Sequence, residues 1–205
     1  MFNGLVREIA KVKSYQNNVL SLIAKHKPNL GDSVAVNGAC LSVTQVFQNG
    51  FAVELSKETR THIATENLQG KVHIEPALCF GERIDGHLLQ GHIDGIGEIS
   101  RIVPNENGVD FFVKVPANLA KFMAQKGSVA IDGVSLTINE VLASEIRLTL
   151  IALTLRESLF GEYKTGRRVN IESDLLARYV AQMFENKGFK KDMSWQEIDK
   201  IAYLY

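Results

Sequence analysis

Short runs of alternating apolar and polar residues, separated by turn residues, make up most of the chain. In the first half such runs cover residues 34–36, 41–46, 51–55 and 72–74. The pairs Asn37-Gly38 and Asp132-Gly133 end two runs and are typical of tight turns between strands. Because successive side chains of a strand point to opposite faces, this pattern predicts a chain built mainly from half-buried strands.

One phrase of the sequence occurs twice. VNGACLSV at residues 36–43 is matched by IDGVSLTI at 131–138, and VHIE recurs as VNIE at a similar spacing. Near the start of the chain we match Gly4 with Gly95. A similarity that runs in order along both halves is expected of a duplicated domain with small loop insertions, and the repeat has the size of a small domain.

The repeat predicts the domain organisation. We expect similar domains over residues 1–87 and 88–174, followed by a helical tail over residues 175–205. About six short strands in each half favour an all-β fold of two tandem six-stranded Greek-key barrels, because a closed barrel leaves no exposed strand edge. A two-sheet sandwich in each half is the alternative.

The tail has a different pattern. After Ser173-Asp174, a pair suited to cap a helix, apolar residues recur at one-turn spacing up to Phe184. This predicts an amphipathic helix that ends at Gly188, and a capping box at residues 194–197 predicts a second helix. The apolar face of the first helix must be covered, either by the chain's own barrels or by the same helix of neighbouring subunits.

Charge and composition exclude several classes of protein. The 23 basic and 23 acidic residues balance, so no basic surface for nucleic acid is expected. No apolar run is long enough to span a membrane, and the start MFNGLVREIA does not read as a signal peptide. Cys40 and Cys79 form no CxxC pair and fit a reducing compartment at least as well as a disulfide. We therefore expect a soluble cytoplasmic protein.

Both copies of the repeated phrase place small polar side chains on one strand face. Cys40 and Ser42 alternate with apolar residues in the first copy, as Ser135 and Thr137 do in the second. A solvated strand face and a ligand site both explain this pattern. The glycine upstream of each pair favours a site, because it lets a ligand approach the backbone closely. Two like domains then predict two like sites, and the difference between Cys40 and Ser135 predicts that these sites are not chemically equal.

The stretch GHLLQGHIDGIG joins the two halves and contains His87, His92 and Asp94. An imidazole exchanges protons near neutral pH, so either histidine is a candidate for chemistry or for a structural role. These side chains lack the tight spacing of metal ligands, and the third glycine of a dinucleotide-binding loop is missing. We therefore predict no metal site.

Six stretches, in this order and inside a duplicated frame, resemble a known family. They are MFNGLV at 1–6, NGACLSV at 37–43, KET at 57–59, GHLLQGHIDG at 86–95, DGVSLT at 132–137 and DLLARYV at 174–180. Each is weak alone, but together they are specific. The chain is similar to the riboflavin synthase family over nearly all of residues 1–184.

This resemblance implies two lumazine-binding barrels and a C-terminal helix that assembles a homotrimer. It implies a transferase at the final step of riboflavin biosynthesis, without a metal or another cofactor. Two molecules of 6,7-dimethyl-8-ribityllumazine would exchange a four-carbon unit, giving riboflavin and 5-amino-6-(ribitylamino)uracil. The active site would form between the first barrel of one subunit and the second barrel of another. A complex with lumazine synthase is a further expectation.

The resemblance also implies which residues act. Cys40, His92, Ser135 and Thr137 would be catalytic, with His92 in proton transfer. The first lumazine would contact Gly4, Leu5, Val6, Cys40, Leu41, Ser42, Glu54, Leu55, Ser56, Lys57, Glu58 and Thr59. The second would contact Gly91, His92, Ile93, Lys126, Ser135, Leu136, Thr137, Thr149, Leu150, Ile151, Ala152, Leu153 and Thr154.

One departure and two rival functions complete the picture. The second copy of the Lys-Glu-Thr turn is Ala152-Leu153-Thr154 instead of the family's Pro-Glu-Thr, which removes a carboxylate. A non-catalytic lumazine-binding antenna protein would bind the lumazine without making riboflavin. A partner-binding tandem barrel would not bind it.

Overall fold

The computed structural model describes residues 1–186 of the 205-residue chain. Strands and short turns dominate this part. The strands are β1 Glu8–Gln16, β2 Val19–Ile23, β3 Ser33–Val36, β4 Ala39–Phe47, β5 Gly50–Glu54, β6 Lys71–Pro76, β7 Gly95–Asn105, β8 Gly108–Lys114, β9 Ser128–Ile131, β10 Val134–Val141, β11 Glu145–Leu150 and β12 Arg168–Ser173. The helices are α1 Lys57–His62, α2 Ala152–Glu157 and α3 Leu175–Asn186.

The strands close into two antiparallel six-stranded barrels. The first has the order β1-β2-β5-β4-β3-β6, and the second has the same cyclic order, β7-β8-β11-β10-β9-β12. Every strand therefore has a neighbour on each side, which a sandwich would not provide. The predicted all-β fold of two similar barrels with a helical tail is confirmed.

Each barrel has its own apolar core, because alternate side chains of its strands point inward. In β4, Leu41 and Val43 are buried while Ser42 between them is exposed. In β10, Leu136 and Ile138 are buried in the same way around Thr137. Burying such a side chain is worth about 1.5–3 kcal/mol, so the alternation fixes which face of each strand is left for other contacts.

Bulges show how the two barrels correspond. The pairing of β4 with β5 shifts after Val43, and that of β10 with β11 shifts after Ile138, 95 positions later. The pairing of β1 with β2 shifts after Val12, and that of β7 with β8 shifts after Ile99, 87 positions later. The second copy therefore has more residues between its first and fourth strands than the first copy has.

The offset of 87 corrects one expectation about the start of the repeat. Gly95 pairs with Ile171 as Glu8 pairs with Ile74. Gly95 is therefore the equivalent of Glu8. The expected match of Gly4 with Gly95 is therefore wrong, and Gly4 corresponds to Gly91. The earlier match failed because the additional residues of the second copy lie after this point.

The segments that precede β1 and β7 are exchanged between the barrels. The carbonyl of Gly4, ahead of the first barrel, accepts a hydrogen bond from the N–H of Ser135 in the second barrel, at 2.8 Å. The carbonyl of Gly91, ahead of the second barrel, accepts one from the N–H of Cys40 in the first, also at 2.8 Å. Phe2 pairs with Leu89 where the two segments meet.

Two side chains at equivalent positions form hydrogen bonds between the barrels. His73 of β6 reaches Asp132 and Leu159 of the second barrel. Asn170 of β12 reaches Asn37 and Ala64 of the first. These two side chains fix the barrels relative to each other through buried polar contacts.

α3 begins directly after Asp174, as predicted, and the carboxylate of Asp174 accepts a hydrogen bond from the N–H of Leu176 at 2.8 Å. An ion pair between Lys121 and Glu185 ties its far end to the second barrel. The predicted helix end at Gly188 and the second helix lie outside the described residues. Within residues 1–186, no helix has the length and apolar character needed to cross a membrane.

Candidate functional site

Two open cavities lie at equivalent places on the two barrels. The first, of about 480 Å³, is lined by Cys40, and the second, of about 290 Å³, by Ser135. Small-molecule sites generally measure about 300–1,000 Å³, so the first cavity lies within this range and the second lies at its lower limit. Because Cys40 and Ser135 are equivalent in the repeat, the cavities are two versions of one site.

The Cys40 cavity is formed by three elements. Cys40 comes from β4, Ser56, Glu58 and Thr59 come from the start of α1, and Gly91, His92 and Ile93 come from the segment ahead of β7. Ser56 caps α1 by accepting a hydrogen bond from the N–H of Thr59 at 3.0 Å. The helix start therefore presents fixed polar groups to the cavity that holds the thiol.

The Ser135 cavity has the same plan with different chemistry. Gly4, Leu5 and Val6 form one wall, and Leu153 and Thr154 of α2 form another. Leu153 occupies the position that Glu58 has in the first cavity. The second cavity therefore lacks that carboxylate.

A histidine is oriented toward the serine of the second cavity. The Nδ1 atom of His87 lies 2.7 Å from the Oγ atom of Ser135. Burial lowers the pKa of His87, and the charge of Asp174 partly opposes this. A neutral imidazole at this distance can accept the hydroxyl proton. The Nε2 atom of His87 is buried and has no hydrogen-bond partner within residues 1–186.

Glycine is required where the exchanged segments touch Cys40 and Ser135. Gly91 has φ +75°, and a Cβ there would lie 2.6 Å from the Cβ atom of Cys40. Gly4 has φ +78°, and a Cβ there would lie 2.6 Å from the Cβ atom of Ser135. Any larger residue would combine backbone strain with a clash.

Two buried carboxylates hold the exchanged segments. Glu75 of β6 accepts hydrogen bonds from the N–H groups of Asn3 and Gly4, at 2.7 and 3.1 Å. Glu172 of β12 accepts them from Gln90 and Gly91, at 2.8 and 3.0 Å. Burial raises the pKa of each carboxyl to about 7, while the donated hydrogen bonds oppose the rise.

The structure corrects how the predicted residues are grouped. Gly4, Leu5 and Val6 were expected beside Cys40, but they line the Ser135 cavity. Gly91, His92 and Ile93 were expected in the second site, but they line the Cys40 cavity. The reason is the exchange of the two segments, since each packs against the barrel that it does not belong to.

The remaining predicted residues do not line either cavity. Leu41, Leu55, Leu136 and Leu150 are buried in the barrel cores. The others lie outside the two linings and are Ser42, Glu54, Lys57, Lys126, Thr137, Thr149, Ile151 and Ala152.

Several lining residues were not predicted. In the first cavity they are Ala39, His62 and Ile63, and in the second they are Arg7, Val134, Glu157 and Ser158. His62 lies one helical turn after Glu58, so the helix period could have indicated it. Glu75 and Glu172 had a signal too, because VHIE and VNIE repeat an acidic residue inside a strand.

Comparison with known proteins identifies the family. The lumazine binding domain family matches residues 3–77 and again residues 90–174. The riboflavin synthase of Brucella abortus is 40% identical over 197 residues, which cover 89% of this chain and 98% of the relative. The chain belongs to the riboflavin synthase family.

Other riboflavin synthases match to a similar extent. That of Photobacterium leiognathi is 35% identical over 94% of this chain and 93% of its own length. That of Bacillus subtilis is 36% identical over 93% of both chains. The predicted family is thus confirmed, and the repeated match agrees with the two barrels.

Solved structures show the same fold. LumP complexed with riboflavin superimposes with a TM-score of 0.76 and 22% identity, covering 84% of this chain and 99% of LumP. LumP complexed with 6,7-dimethyl-8-(1'-D-ribityl) lumazine gives a TM-score of 0.74 with 21% identity. At this identity the likeness concerns the fold alone.

Proposed function

We propose that the chain catalyses the reaction of its family. Two molecules of 6,7-dimethyl-8-ribityllumazine exchange a four-carbon unit and yield riboflavin and 5-amino-6-(ribitylamino)uracil. The observation that supports this most is the pair of equivalent cavities, one at Cys40 and one at Ser135. A reaction between two copies of one substrate needs two similar sites, and the transfer from one copy to the other needs the sites to differ.

Each cavity is proposed to bind one lumazine and orient it. The 7-methyl group of the lumazine is acidic because its anion is delocalised into the ring, so a moderate base suffices to remove a proton. Holding two reactants in the correct orientation can supply much of the rate acceleration. The polar groups at the start of α1 would bind the ring edge in the first cavity.

Proton transfer is assigned to a histidine at each cavity. His92 lines the first cavity beside Cys40 and can exchange a proton with the lumazine there. His87 can take the proton of the Ser135 hydroxyl and so make that oxygen a better nucleophile or base. Cys40 is proposed to act on its lumazine as nucleophile, activator or hydrogen-bond donor. Thr137 and Lys126 stay predictions as further contacts.

We further propose that the chain works as a homotrimer. On α3, Leu176, Tyr179, Val180 and Met183 are exposed, each by half or more. Such an apolar helix face is favourable only if another surface covers it. Trimer contacts would place the Cys40 cavity of one subunit opposite the Ser135 cavity of the next. A complex with lumazine synthase stays a prediction.

A cytoplasmic location is also part of the proposal. Both cysteines are free, Cys40 half-buried and Cys79 exposed. Free thiols are typical of a reducing compartment.

The function is tested by incubating the purified protein with 6,7-dimethyl-8-ribityllumazine and following riboflavin by its absorbance. We expect riboflavin to form. A Cys40→Ala variant should form it at a rate lower by a factor on the order of 100. Cys79→Ala is the matched control, since Cys79 lies outside both cavities, and it should keep the parent rate.

The alternative outcomes separate the rival functions. Tight binding of the lumazine without riboflavin would identify a ligand carrier of the antenna type. Absence of binding would leave the cavities without their proposed ligand and reject both the synthase and the antenna-type carrier. Equal rates for the parent and Cys40→Ala would remove Cys40 from the chemistry.

A further inference from the structure

Glu172 lies in the second barrel, yet it is connected to the cavity of the first. Its side chain is almost fully buried, at 2% exposure. One oxygen, Oε1, accepts the N–H of Gln90, and the other, Oε2, accepts the N–H of Gly91. The carbonyl of Gly91 accepts the N–H of Cys40. One carboxylate thus fixes the peptide that touches the thiol-bearing strand.

This arrangement requires a carboxylate. Two N–H groups of consecutive residues point at two oxygens, and a carboxylate supplies an acceptor for each. The amide of glutamine would supply one acceptor and turn an N–H donor toward the other N–H. The pair would then lose one charge-assisted hydrogen bond and gain a donor–donor contact.

A cation from α3 completes the arrangement. The Nη2 atom of Arg178 lies 3.6 Å from Oε1 of Glu172 and 3.5 Å from a carboxylate oxygen of Asp94. The same carboxylate oxygen of Asp94 accepts the N–H of Ser173 at 2.7 Å. Arg178 therefore lies between the strand that holds the segment and the end of the segment itself. Its positive charge favours the ionised form of Glu172, which burial disfavours.

The counterpart in the first barrel has no such ion pair, although the charges of Arg7 and of the N-terminus also favour its ionised form. Glu75 holds Asn3 and Gly4 against Ser135 with the same bond pattern. No arginine or lysine lies within ion-pair distance of Glu75 in the described part of the chain. The helix is thus linked to the Cys40 cavity and not, by this route, to the Ser135 cavity.

We propose that Glu172 is a positioning residue of the Cys40 cavity, and that Arg178 of α3 holds Glu172 in place. In this scheme Glu172 touches no substrate and acts by fixing the backbone of Gly91 and His92. The catalytic consequence rests on the proposed function. The positioning itself does not, because it concerns the shape of the cavity in the free protein.

The test measures the accessibility of Cys40 without any substrate. In a Cys79→Ser background, which removes the exposed thiol, the rate of alkylation of Cys40 by iodoacetamide is followed by mass spectrometry. We expect Glu172→Gln to raise this rate about tenfold. The substitution removes one hydrogen bond to a charged group, so the segment beside Cys40 is displaced more easily. Glu75→Gln, the matched control, perturbs the other cavity and should leave the rate unchanged. Arg178→Gln, in which Glu172 is intact, should raise it by a smaller factor.

Two results would overturn the proposal. One is a Cys40 alkylation rate in Glu172→Gln equal to that of the parent. The other is an equal acceleration in Glu75→Gln, which would indicate general loosening of the barrels. Should Glu172→Gln fail to fold, Arg178→Gln decides by the same comparison.

A kinetic measurement separates this inference from the proposed function. If the parent forms riboflavin, Glu172→Gln should raise KM for the lumazine, because the wall of one cavity is displaced. If the parent forms none, the proposed function fails while the alkylation rates still decide on Glu172.

Discussion

His73 of β6 and Asn170 of β12 occupy equivalent positions and make equivalent bonds. The Nδ1 atom of His73 lies 2.9 Å from the carbonyl of Asp132, and Nε2 accepts the N–H of Leu159 at 2.7 Å. Asn170 donates to the carbonyl of Asn37 and accepts the N–H of Ala64, both at 2.8 Å. An imidazole with its proton on Nδ1 thus donates one hydrogen bond and accepts one, as a carboxamide does.

This equivalence predicts that asparagine can replace His73. His73→Asn should keep both cross-barrel bonds and stay close to the parent in its free energy of unfolding. His73→Leu leaves a buried carbonyl and a buried N–H without partners, which together cost about 2–6 kcal/mol. Urea unfolding of the three proteins measures this. A loss in His73→Asn as large as that in His73→Leu would show that asparagine does not reproduce the two bonds, and no loss in either variant would show that the bonds do not stabilise the interface.

The same residue predicts a difference in acid stability. Burial lowers the pKa of His73 from 6.5 to about 4. Below pH 6.5 the unfolded chain takes up a proton that the folded chain refuses, so stability is lost as pH falls toward 4. The loss reaches about 3 kcal/mol for this group alone. The stability difference between His73→Asn and the parent should therefore shift in favour of the variant over this range.

Measuring the variant beside the parent isolates His73 from other groups. Burial raises the pKa of Glu75 and of Glu172 to about 7, which acts in the opposite direction in both proteins. These contributions cancel in the difference. A difference in unfolding free energy that stays constant from pH 7 to pH 4 would contradict the role given to His73.

At the scale of elements, the two Asx-Gly turns meet tip to tip between the barrels. Gly38 has φ +84°, and a Cβ on it would lie 2.7 Å from the backbone nitrogen of Gly133. Gly133 faces Gly38 in the same way. The turns therefore need glycine both for their conformation and for their close approach.

Gly31 allows these two requirements to be separated. It has φ +86°, and no atom lies within 4 Å of the position of its Cβ. Gly31→Ala should cost only the left-handed conformation, about 1–2 kcal/mol. Gly38→Ala should cost about 1–3 kcal/mol more, because backbone of the other barrel must move. Thermal or urea unfolding of both variants checks this, and equal costs would rule out the close contact.

The elements themselves could be predicted from the sequence better than their assembly. Alternation and Asx-Gly pairs indicated β3 to β6, and the repeat extended this to the second barrel. The exchange of Gly4 and Gly91 between barrels could not be predicted, because it depends on partners far apart in sequence. The apolar character of Leu41 and Leu136 fixed their place in the cores, which also kept their side chains out of the cavities.

At the scale of the whole molecule, α3 would connect the proposed trimer with the Cys40 cavity. Its inner side contributes Arg178 to the Glu172 arrangement, and its outer side presents Leu176 and Val180. If trimer contacts cover the outer side, the helix is held where Arg178 can act. Assembly and the shape of the Cys40 cavity are then linked through one helix.

Substitutions on the outer side test the assembly while leaving Arg178 in place. The double variant Leu176→Glu and Val180→Glu puts charges on the apolar face, which opposes its burial against neighbouring subunits. By light scattering we expect the parent at three times the chain mass of 22.7 kDa and the variant at a lower mass. Leu30→Glu is the matched control, because Leu30 is 68% exposed, like Leu176 at 69%, and lies on the first barrel.

The activity of these variants decides whether the subunits share the site. If the Cys40 cavity of one subunit reacts with the Ser135 cavity of the next, the double variant should still bind the lumazine but form little riboflavin. Leu30→Glu should keep both the mass and the rate of the parent. A dissociated variant with the parent rate would place both lumazines within one chain, whereas an unchanged mass would show that α3 does not hold the subunits together.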